Sequence, residues 1–221
     1  RYEDHLSFWR SEPDGGQANA IATGLGMATG QIYCWLNSDD ILLPGALRAI
    51  GALFKRHPRV DFFFGNRLLI DEGGAVIGWH MWPWRLTRAH WALGQSLAQE
   101  ACFWTRRIYE EVGGINPEKF FIMDYDLFFR MWRKGRFQKT AQFLGCLRQH
   151  DQTKNSQHAD VWKRELAEAT ATYGLREPGY MASRLLNRTD RLELAVERWL
   201  AKGQWEQVQK IGLQWRVLNH R

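Results

Sequence analysis

Two adjacent carboxylates, Asp39 and Asp40, follow a short apolar run in this 221-residue chain. The run, residues 32–36, favours β-structure and predicts a strand buried on both faces. Ligands of open α/β sheets bind in the crevice beyond the carboxyl ends of the strands, so both carboxylates should face such a crevice. Adjacent carboxylates repel each other unless a cation or hydrogen-bond donors compensate them. Mg²⁺, which is usually held by one or two carboxylates plus phosphate oxygens, would suit this pair.

The tetrapeptide at residues 37–40 also has a purely structural interpretation. Its sequence, Asn-Ser-Asp-Asp, consists of turn and N-cap residues whose side chains bind nearby backbone amides. Pro44 then stands near the first turn of the helix that is expected to follow. Residue type and spacing alone support helix capping and metal binding equally.

A second pair of carboxylates, Asp124 and Asp126, opens a predicted helix at residues 124–134. Carboxylates are stabilised at a helix N-terminus, so capping is again an alternative. Residues two apart on a helix point in different directions, so one carboxylate can cap the helix while the other faces the crevice. A carboxylate in that position can serve as general base for a substrate hydroxyl. The two pairs together predict a metal that neutralises a phosphate leaving group and a base that activates an alcohol.

The elements that would position these carboxylates alternate between helix and strand in the first two thirds of the chain. The tryptophan-rich residues 80–95 predict a loop with a short helix over the site, although tryptophan clusters more often belong to a core. Beyond residue 160 the pattern is charged amphipathic helix without strands. We therefore expect an α/β domain at residues 1–158 and a helical C-terminal extension at residues 159–221. The predicted helices are 18–29, 45–57, 106–112, 124–134, 161–173, 189–202 and 204–217, and the predicted strands are 32–36, 60–65, 101–104 and 137–146, with a hairpin at 67–79.

Composition excludes several classes of protein. Hydrophobic residues make up 45% of the chain, enough for a core, and no apolar run approaches a membrane span. The net charge of +6 is scattered and forms no nucleic-acid signature, so it indicates a solvated surface more than attraction to anionic substrates or membranes. Three widely spaced cysteines in apolar runs predict reduced, buried thiols, which favours the cytoplasm: Cys34, Cys102 and Cys146.

The motifs taken together resemble the family 2 glycosyltransferases, which are inverting enzymes with a GT-A fold. The resemblance covers residues 11–157 and rests on the order of the segments SEPDGGQANAIATGLGMATG, WLNSDDILLPGAL, QEACFWTRRIYEEVGGIN, FFIMDYDLFFRMWRKG and RQHDQTKNS. It implies a Rossmann-like, mixed and mostly parallel sheet flanked by helices. It also implies transfer of a sugar from a nucleotide-diphosphate sugar to a carbohydrate or lipid-linked acceptor, in polysaccharide or glycoconjugate biosynthesis. The implied cofactor is Mg²⁺ or Mn²⁺.

The resemblance assigns roles to single residues. Asp40 would ligate the metal that bridges the diphosphate, and Asp39 would lie near the ribose or the metal's waters. Asp124 would be the base, with Met123 standing where the family often has a glutamate. His150 resembles a late histidine that some members offer to the metal or diphosphate. The remaining implied substrate-side residues are Asp14, Gly15 and Gly16 in the turn before the donor-site helix, Gln99 at the acceptor pocket, and Asp126 as an acceptor-side or structural residue.

The family's opening strand, helix and second strand, which form the pocket for the nucleotide base, have no counterpart before Arg1. We therefore expect a chain truncated from a longer, active enzyme. The alternative is a non-catalytic carbohydrate-binding or scaffold remnant, and a metal-dependent phosphohydrolase fits less well because the histidines are scattered. The mixed charge of the helical extension favours bracing of the domain over contact with the inner face of a membrane or with a partner. Oligomeric state is open.

Overall fold

The computed structural model of this chain describes residues 3–149 and 159–200, which form seven α-helices around a six-stranded sheet. The helices are α1 Gln17–Met27, α2 Ala46–Arg56, α3 Arg88–Ala92, α4 Arg106–Glu111, α5 Met123–Lys134, α6 Ala159–Thr172 and α7 Tyr180–Leu200. The strands are β1 Ile32–Tyr33, β2 Ile41–Leu42, β3 Phe62–Ile70, β4 Val76–His80, β5 Cys102–Thr105 and β6 Phe137–Arg148. Single 3₁₀ turns lie at Glu3–His5 and Gln99–Ala101.

The strands follow the order β1-β5-β3-β6-β2, and β4 also pairs with β3. Strands β3 and β6 are parallel, whereas the other pairs of the described sheet are antiparallel. The predicted mixed sheet with flanking helices is confirmed. The sheet was expected to be mostly parallel, however, and β3–β6 is the one parallel pair among its described strands. One reason is that a tight turn joins β3 to β4, and a tight turn can join only antiparallel neighbours.

The predicted strand at residues 32–36 is shorter than expected, because the chain leaves the sheet after Tyr33. In the described sheet β1 is an edge strand that pairs with β5 alone. Trp35 then packs on the core, with ring centroids 5.3 Å from Trp104 and 5.8 Å from Phe128. This departure carries the following polar residues out beyond the end of the strand.

The core is built from the apolar face of α5 packed on β3 and β5. Phe62 of β3 and Phe128 of α5 are fully buried, and their rings meet edge to face at 5.1 Å. Phe62 also stacks on Trp104 at 5.8 Å. Aromatic contacts of this kind fix the axis and rotation of a helix, so the first turn of α5 has a defined position relative to the sheet.

The tryptophan-rich segment divides between core and surface. Trp82 and Trp91 are buried, whereas Trp79 and Trp84 are exposed. The short helix predicted in this segment is α3. Of the three cysteines, all free, Cys102 and Cys146 are buried and Cys34 is half-buried, which agrees with reduced thiols.

The described part of the helical extension packs on the α/β part. Trp162, Leu166 and Ala169 of α6 join the main hydrophobic core. Helix α7 begins nine residues before its predicted start, directly after Pro178 and Gly179, while the helix predicted at 204–217 lies outside the described residues. Among the described helices, none has the length and apolar character needed to cross a membrane.

Substitution of Gly145 by alanine is expected to lower the free energy of unfolding by about 2 kcal/mol, since a Cβ there would overpack the sheet. The added atom would lie 2.5 Å from the backbone carbonyl oxygen of Glu100, which cannot swing away as a side chain can. Gly51→Ala in α2 is the control, because its Cβ would meet nothing within 4 Å and alanine favours helix. Urea unfolding of both variants measures the difference, and equal stabilities would contradict the overpacking.

Candidate active site

A cleft of about 760 Å³ opens where the ends of the strands meet the first turn of α5. Both predicted carboxylate motifs contribute to its wall, through Asp39 and Asp40 on one side and Asp124 on the other. The other lining residues are Gln17, Trp35, Asn37, Ser38, Arg67, Gly94, Ser96, Leu97, Gln99, Glu100, Phe121, Ile122, Met123, Tyr125, Leu147, Arg148, Gln149 and Trp162. The tertiary structure therefore brings together two motifs that are more than eighty residues apart in the chain.

Asp40 is only 7% exposed and is held by two donors. Its Oδ2 accepts a hydrogen bond from Asn37 Nδ2 at 3.0 Å, and its Oδ1 accepts one from the Arg148 backbone amide at 3.2 Å. Burial raises the pKa of Asp40, while these two donors act in the opposite direction. The carboxylate is thus fixed in place at a position where ionisation requires compensating positive charge.

Helix capping does not account for the Asp39–Asp40 pair. The N-cap of α2 is Gly45, in a left-handed conformation with φ 85°, and no side chain caps that helix. The loop closes instead through the Asp40 amide, which donates to the Asn37 carbonyl oxygen at 3.2 Å. Asp39 is half-buried and lines the cleft. Neither carboxylate caps α2, and both residues line the cleft.

Three amide side chains form a chain of hydrogen bonds beneath this loop. Gln17 Nε2 donates to Asn37 Oδ1 at 3.0 Å, Asn37 Nδ2 donates to Gln99 Oε1 at 3.2 Å, and Gln99 Nε2 donates to the Trp35 carbonyl oxygen. Gln99 lines the cleft beside the loop of residues 37–40, which is called the Asp loop below. Its described contacts position the loop, and its contact with an acceptor stays a prediction.

The turn before α1 lies at the margin of the site. Asp14 Oδ1 accepts a hydrogen bond from the Gly16 amide at 2.9 Å, and Gly16 adopts φ 98° as the N-cap of α1. Asp14, Gly15 and Gly16 do not line the cleft, whereas the next residue, Gln17, does. The part of this motif that reaches the cleft is therefore the first residue of the helix.

Asp124 stands in the first turn of α5 and faces the cleft. Ser96 Oγ donates to its Oδ2 at 3.1 Å, and the Tyr125 amide donates to its Oδ1 at 2.7 Å. Burial raises the pKa of Asp124, while both donors act against that rise. A carboxylate that is oriented by two donors and has a raised pKa is suited to accept a proton.

Asp126 lies on a different face of the same helix and does not line the cleft. It is buried and receives two hydrogen bonds from Arg130, from Nε at 2.9 Å and from Nη2 at 2.7 Å. The Tyr173 hydroxyl donates to its other oxygen. The structural role considered for Asp126 accounts for these contacts, and its substrate-binding role stays a prediction. The reason that Asp126 does not line the cleft with Asp124 is geometric, because side chains two apart on a helix cannot share one face.

Sequence patterns alone missed three charged residues of the cleft, Arg67 on β3, Glu100 before β5 and Arg148 at the end of β6. Arg67 Nη1 lies 3.5 Å from Glu100 Oε1, and Arg67 Nε is buried without a hydrogen-bond partner among the described residues. Burial raises the pKa of Glu100, and the charge of Arg67 acts against that rise. A signal for Arg67 was present, since it is the only charged residue in the mostly apolar strand β3. Glu100 had no comparable signal.

Arg148, at the end of β6, joins the Asp loop to the β3–β4 turn. Its Nε donates to the Asp39 carbonyl oxygen at 3.0 Å, and its Nη1 donates to the carbonyl oxygens of Asp71 and Glu72 at 2.9 and 2.8 Å. Since its backbone amide also binds Asp40, a single residue contacts the Asp loop twice. Arg148 is therefore a positioning residue for both carboxylates.

The loop that leads into α5 is held by Glu165 of α6. Glu165 accepts hydrogen bonds from three successive backbone amides, those of Phe120 at 3.0 Å, Phe121 at 2.9 Å and Ile122 at 3.1 Å. Ile122 is the N-cap of α5, and its own side chain makes no capping bond. The helical extension thus supplies the carboxylate that anchors the loop leading into the helix that carries Asp124.

The donor set suits a cation that is shared with a ligand. Across residues 3–149 and 159–200, no group of three or more His, Cys, Asp and Glu side chains is placed to hold a metal ion. Asp39 and Asp40 nevertheless present two adjacent carboxylates to the cleft, which fits an ion that takes its other ligands from phosphate oxygens and water. The predicted metal ligand His150 lies outside the described residues.

Comparison with known proteins places these observations in a family. Residues 2–134 match the model of the glycosyl transferase family 2. The chondroitin synthase of Pasteurella multocida (strain Pm70) and the hyaluronan synthase of Pasteurella multocida are each 26% identical over 133 residues, which is 58% of this chain and 13% of each relative. The chain thus spans a small part of the length of these curated relatives.

Solved structures from Staphylococcus aureus show the same fold. The structure of S. aureus TarS 1–349 in complex with UDP-GlcNAc has a TM-score of 0.56 at 14% identity, covering 76% of this chain and 51% of that one. The structure of S. aureus TarS has a TM-score of 0.50 at 13% identity, covering 70% and 27%. The two carboxylate motifs in one cleft, the GT-A-like sheet and the family match agree, and the chain belongs to the glycosyl transferase family 2.

Proposed function

We propose that this chain is the catalytic part of an inverting glycosyltransferase that moves a sugar from a nucleotide-diphosphate sugar to an acceptor hydroxyl. The observation that carries the proposal is the meeting of Asp39 and Asp40 with Asp124 in one cleft. The TarS complex with UDP-GlcNAc supports a UDP-sugar as the class of donor. The chondroitin and hyaluronan synthases support a growing polysaccharide as the class of acceptor.

In the proposed reaction Asp124 is the general base. The acceptor hydroxyl gives its proton to an Asp124 carboxylate oxygen while its own oxygen forms a bond to the anomeric carbon. The bond from that carbon to the diphosphate breaks on the opposite face, and its electron pair leaves with the diphosphate. Ser96 and the Tyr125 amide orient the base before the acceptor arrives, which removes a reorganisation step from the reaction.

Asp40, with Asp39 beside it, would hold Mg²⁺ or Mn²⁺ together with the diphosphate oxygens. When bound, such an ion offsets the negative charge that develops on the leaving diphosphate. The chain's own contribution is to hold the Asp40 carboxylate through Asn37 and the Arg148 amide, and the Asp39 backbone through Arg148 Nε. These contacts keep the loop ordered against the repulsion of its two carboxylates.

Asp40→Asn is expected to weaken UDP binding in the presence of Mn²⁺ by at least about tenfold, because it removes a charged ligand while preserving side-chain shape. Isothermal titration of UDP with and without Mn²⁺, on the original chain and the variant, measures the effect. Asp160→Asn, an exposed site on α6, is the matched control and should bind as the original chain does. UDP affinity that is equal with and without Mn²⁺ in the original chain would contradict the metal assignment.

Transfer to an acceptor is tested separately from binding. Incubation of the chain with UDP-GlcNAc, Mn²⁺ and an oligosaccharide acceptor should release UDP in proportion to acceptor. Metal-dependent UDP binding without hydrolysis or transfer for any donor, both in this chain and in one extended upstream of Arg1, would favour the non-catalytic carbohydrate-binding alternative. NMR of the product shows whether its anomeric carbon has the opposite configuration to that of the donor sugar, as inversion requires.

A further inference from the structure

Over residues 180–195, helix α7 separates its acidic residues from its basic ones. Residues 180–195 contain two acidic side chains, Asp190 and Glu193, and both are half-buried against the α/β part. His90 Nε2 lies 3.2 Å from Asp190 Oδ2, and the Trp84 amide donates to Glu193 Oε2 at 3.0 Å. The negative charge of this part of α7 is therefore committed to contacts with the segment around α3.

The outward face of α7 carries large apolar side chains. Met181, Leu185 and Leu192 are 75%, 64% and 61% exposed, and their spacing of four and seven residues places them on one side of the helix. Exposure of a single leucine is ordinary, but a line of three along one helix is the arrangement found in faces that meet another apolar phase. This face is called the α7 stripe below.

Three exposed arginines, Arg184, Arg188 and Arg191, run alongside the α7 stripe. They too recur at helical spacing, so they form a basic edge beside the apolar line. The ion pairs of the described residues include none of these three side chains. The outward face is thus apolar and positive, with the acidic groups of residues 180–195 turned away from it.

Charge decides which occupant suits this face. Two copies of the chain meeting through the α7 stripe would bring six guanidinium groups together, while the acidic residues of 180–195, Asp190 and Glu193, face away from the contact. An anionic lipid surface suits both features, as it does for other basic amphipathic helices. Lipid phosphates can bind the arginines, and the boundary between headgroups and acyl chains can bury the α7 stripe. The net charge of +6 acts in the same direction.

We propose that the outward face of α7 docks the protein on an anionic bilayer surface. Met181, Leu185 and Leu192 would enter the boundary between headgroups and acyl chains, while the three arginines bind lipid phosphates. The proposal does not depend on the reaction catalysed.

The test is sedimentation of the full chain with vesicles of phosphatidylcholine alone or with about 30 mol% phosphatidylglycerol. We expect binding only to the anionic vesicles, and its loss when the salt is raised to about 0.5 M. Arg184→Gln/Arg188→Gln/Arg191→Gln should lower the partition coefficient about a hundredfold at low salt. Met181→Ser/Leu185→Ser/Leu192→Ser should lower it as well, because lipid charge alone does not bury the helix.

Matched variants separate this face from general surface charge. Arg48→Gln/Arg56→Gln/Arg59→Gln removes the same charge from exposed positions on and after α2 and should leave vesicle binding within about twofold. Replacement of the three α7 arginines by lysine should retain binding, and circular dichroism checks that each variant is folded. The proposal would be overturned if the chain bound neutral and anionic vesicles equally, or if it bound neither. It would also be overturned if both arginine-to-glutamine variants lost vesicle binding to the same extent. Self-association in analytical ultracentrifugation that the serine variant abolishes would overturn it in favour of a second copy.

Discussion

Asp124→Asn is expected to lower kcat by about 10²- to 10⁴-fold while leaving the affinity for UDP nearly unchanged. The amide preserves the shape of the carboxylate, and its oxygen can still accept the hydrogen bond of the Tyr125 amide while its NH₂ group donates to the Ser96 hydroxyl oxygen, but it cannot take a proton from the acceptor. Chemistry should therefore fail in a site that still binds donor. Single-turnover transfer together with UDP titration separates these two effects, and full activity in the variant would refute the base assignment.

The control for this substitution is Asp126→Asn on the same helix. Asp126 pairs with Arg130 and Tyr173 away from the cleft, so its loss should lower the melting temperature and leave kcat per folded molecule nearly intact. A kcat defect in the Asp126 variant as large as that of Asp124→Asn would mean that helix position, and not proton transfer, explains both.

The pH dependence of turnover carries a further signature of Asp124. Burial raises the pKa of this carboxyl above its ordinary value of about 3.9. The base acts in its ionised form, so kcat should fall as pH decreases through the raised pKa and reach a plateau above it. Asp124→Asn should lack this acid limb, and an unchanged limb in the variant would assign it to another group.

Glu165→Ala is expected to lower the free energy of unfolding by about 3 kcal/mol, because three backbone amides lose a buried charged acceptor together. Glu165 is 7% exposed, and the residues that it binds lead directly into α5. The melting temperature should fall by about 6–12 °C for a chain of this size. Because displacement of a base by about 1 Å is costly, kcat of the folded variant should also fall at least about tenfold.

Glu168→Ala, three residues further along α6, is the matched control. Its side chain is 57% exposed and pairs with Lys119 at 3.7 Å, a surface contact that contributes little. Its melting temperature and kcat should stay close to those of the original chain. If Glu165→Ala loses no more stability than Glu168→Ala, the hydrogen bonds from Glu165 to the amides of residues 120–122 do not stabilise the loop before α5.

Local pattern determined much of the fold. The apolar face of α5, the hairpin of β3 and β4, and the short helix in the tryptophan-rich segment were all predictable, because periodicity and turn residues act over a few positions. The limits of strand β1 and the start of α7 were less predictable from local pattern. Their limits depend on partners, since β1 ends where its pairing with β5 ends.

The sequence by itself determined the family, the two carboxylate motifs and the two interpretations open to each, because residue type and spacing are local properties. Only the tertiary structure decided that Asp39, Asp40 and Asp124 share a cleft while Asp126 does not. It also brought in Arg67, Glu100, Arg148 and Glu165, whose roles depend on contacts between distant segments. The same holds for α7: its mixed charge in the sequence predicted a brace, and only folding determined that Asp190 and Glu193 turn inward while Arg184, Arg188 and Arg191 stay exposed. A linear pattern records which charges are present, and only packing against a second surface determines which of them remain exposed.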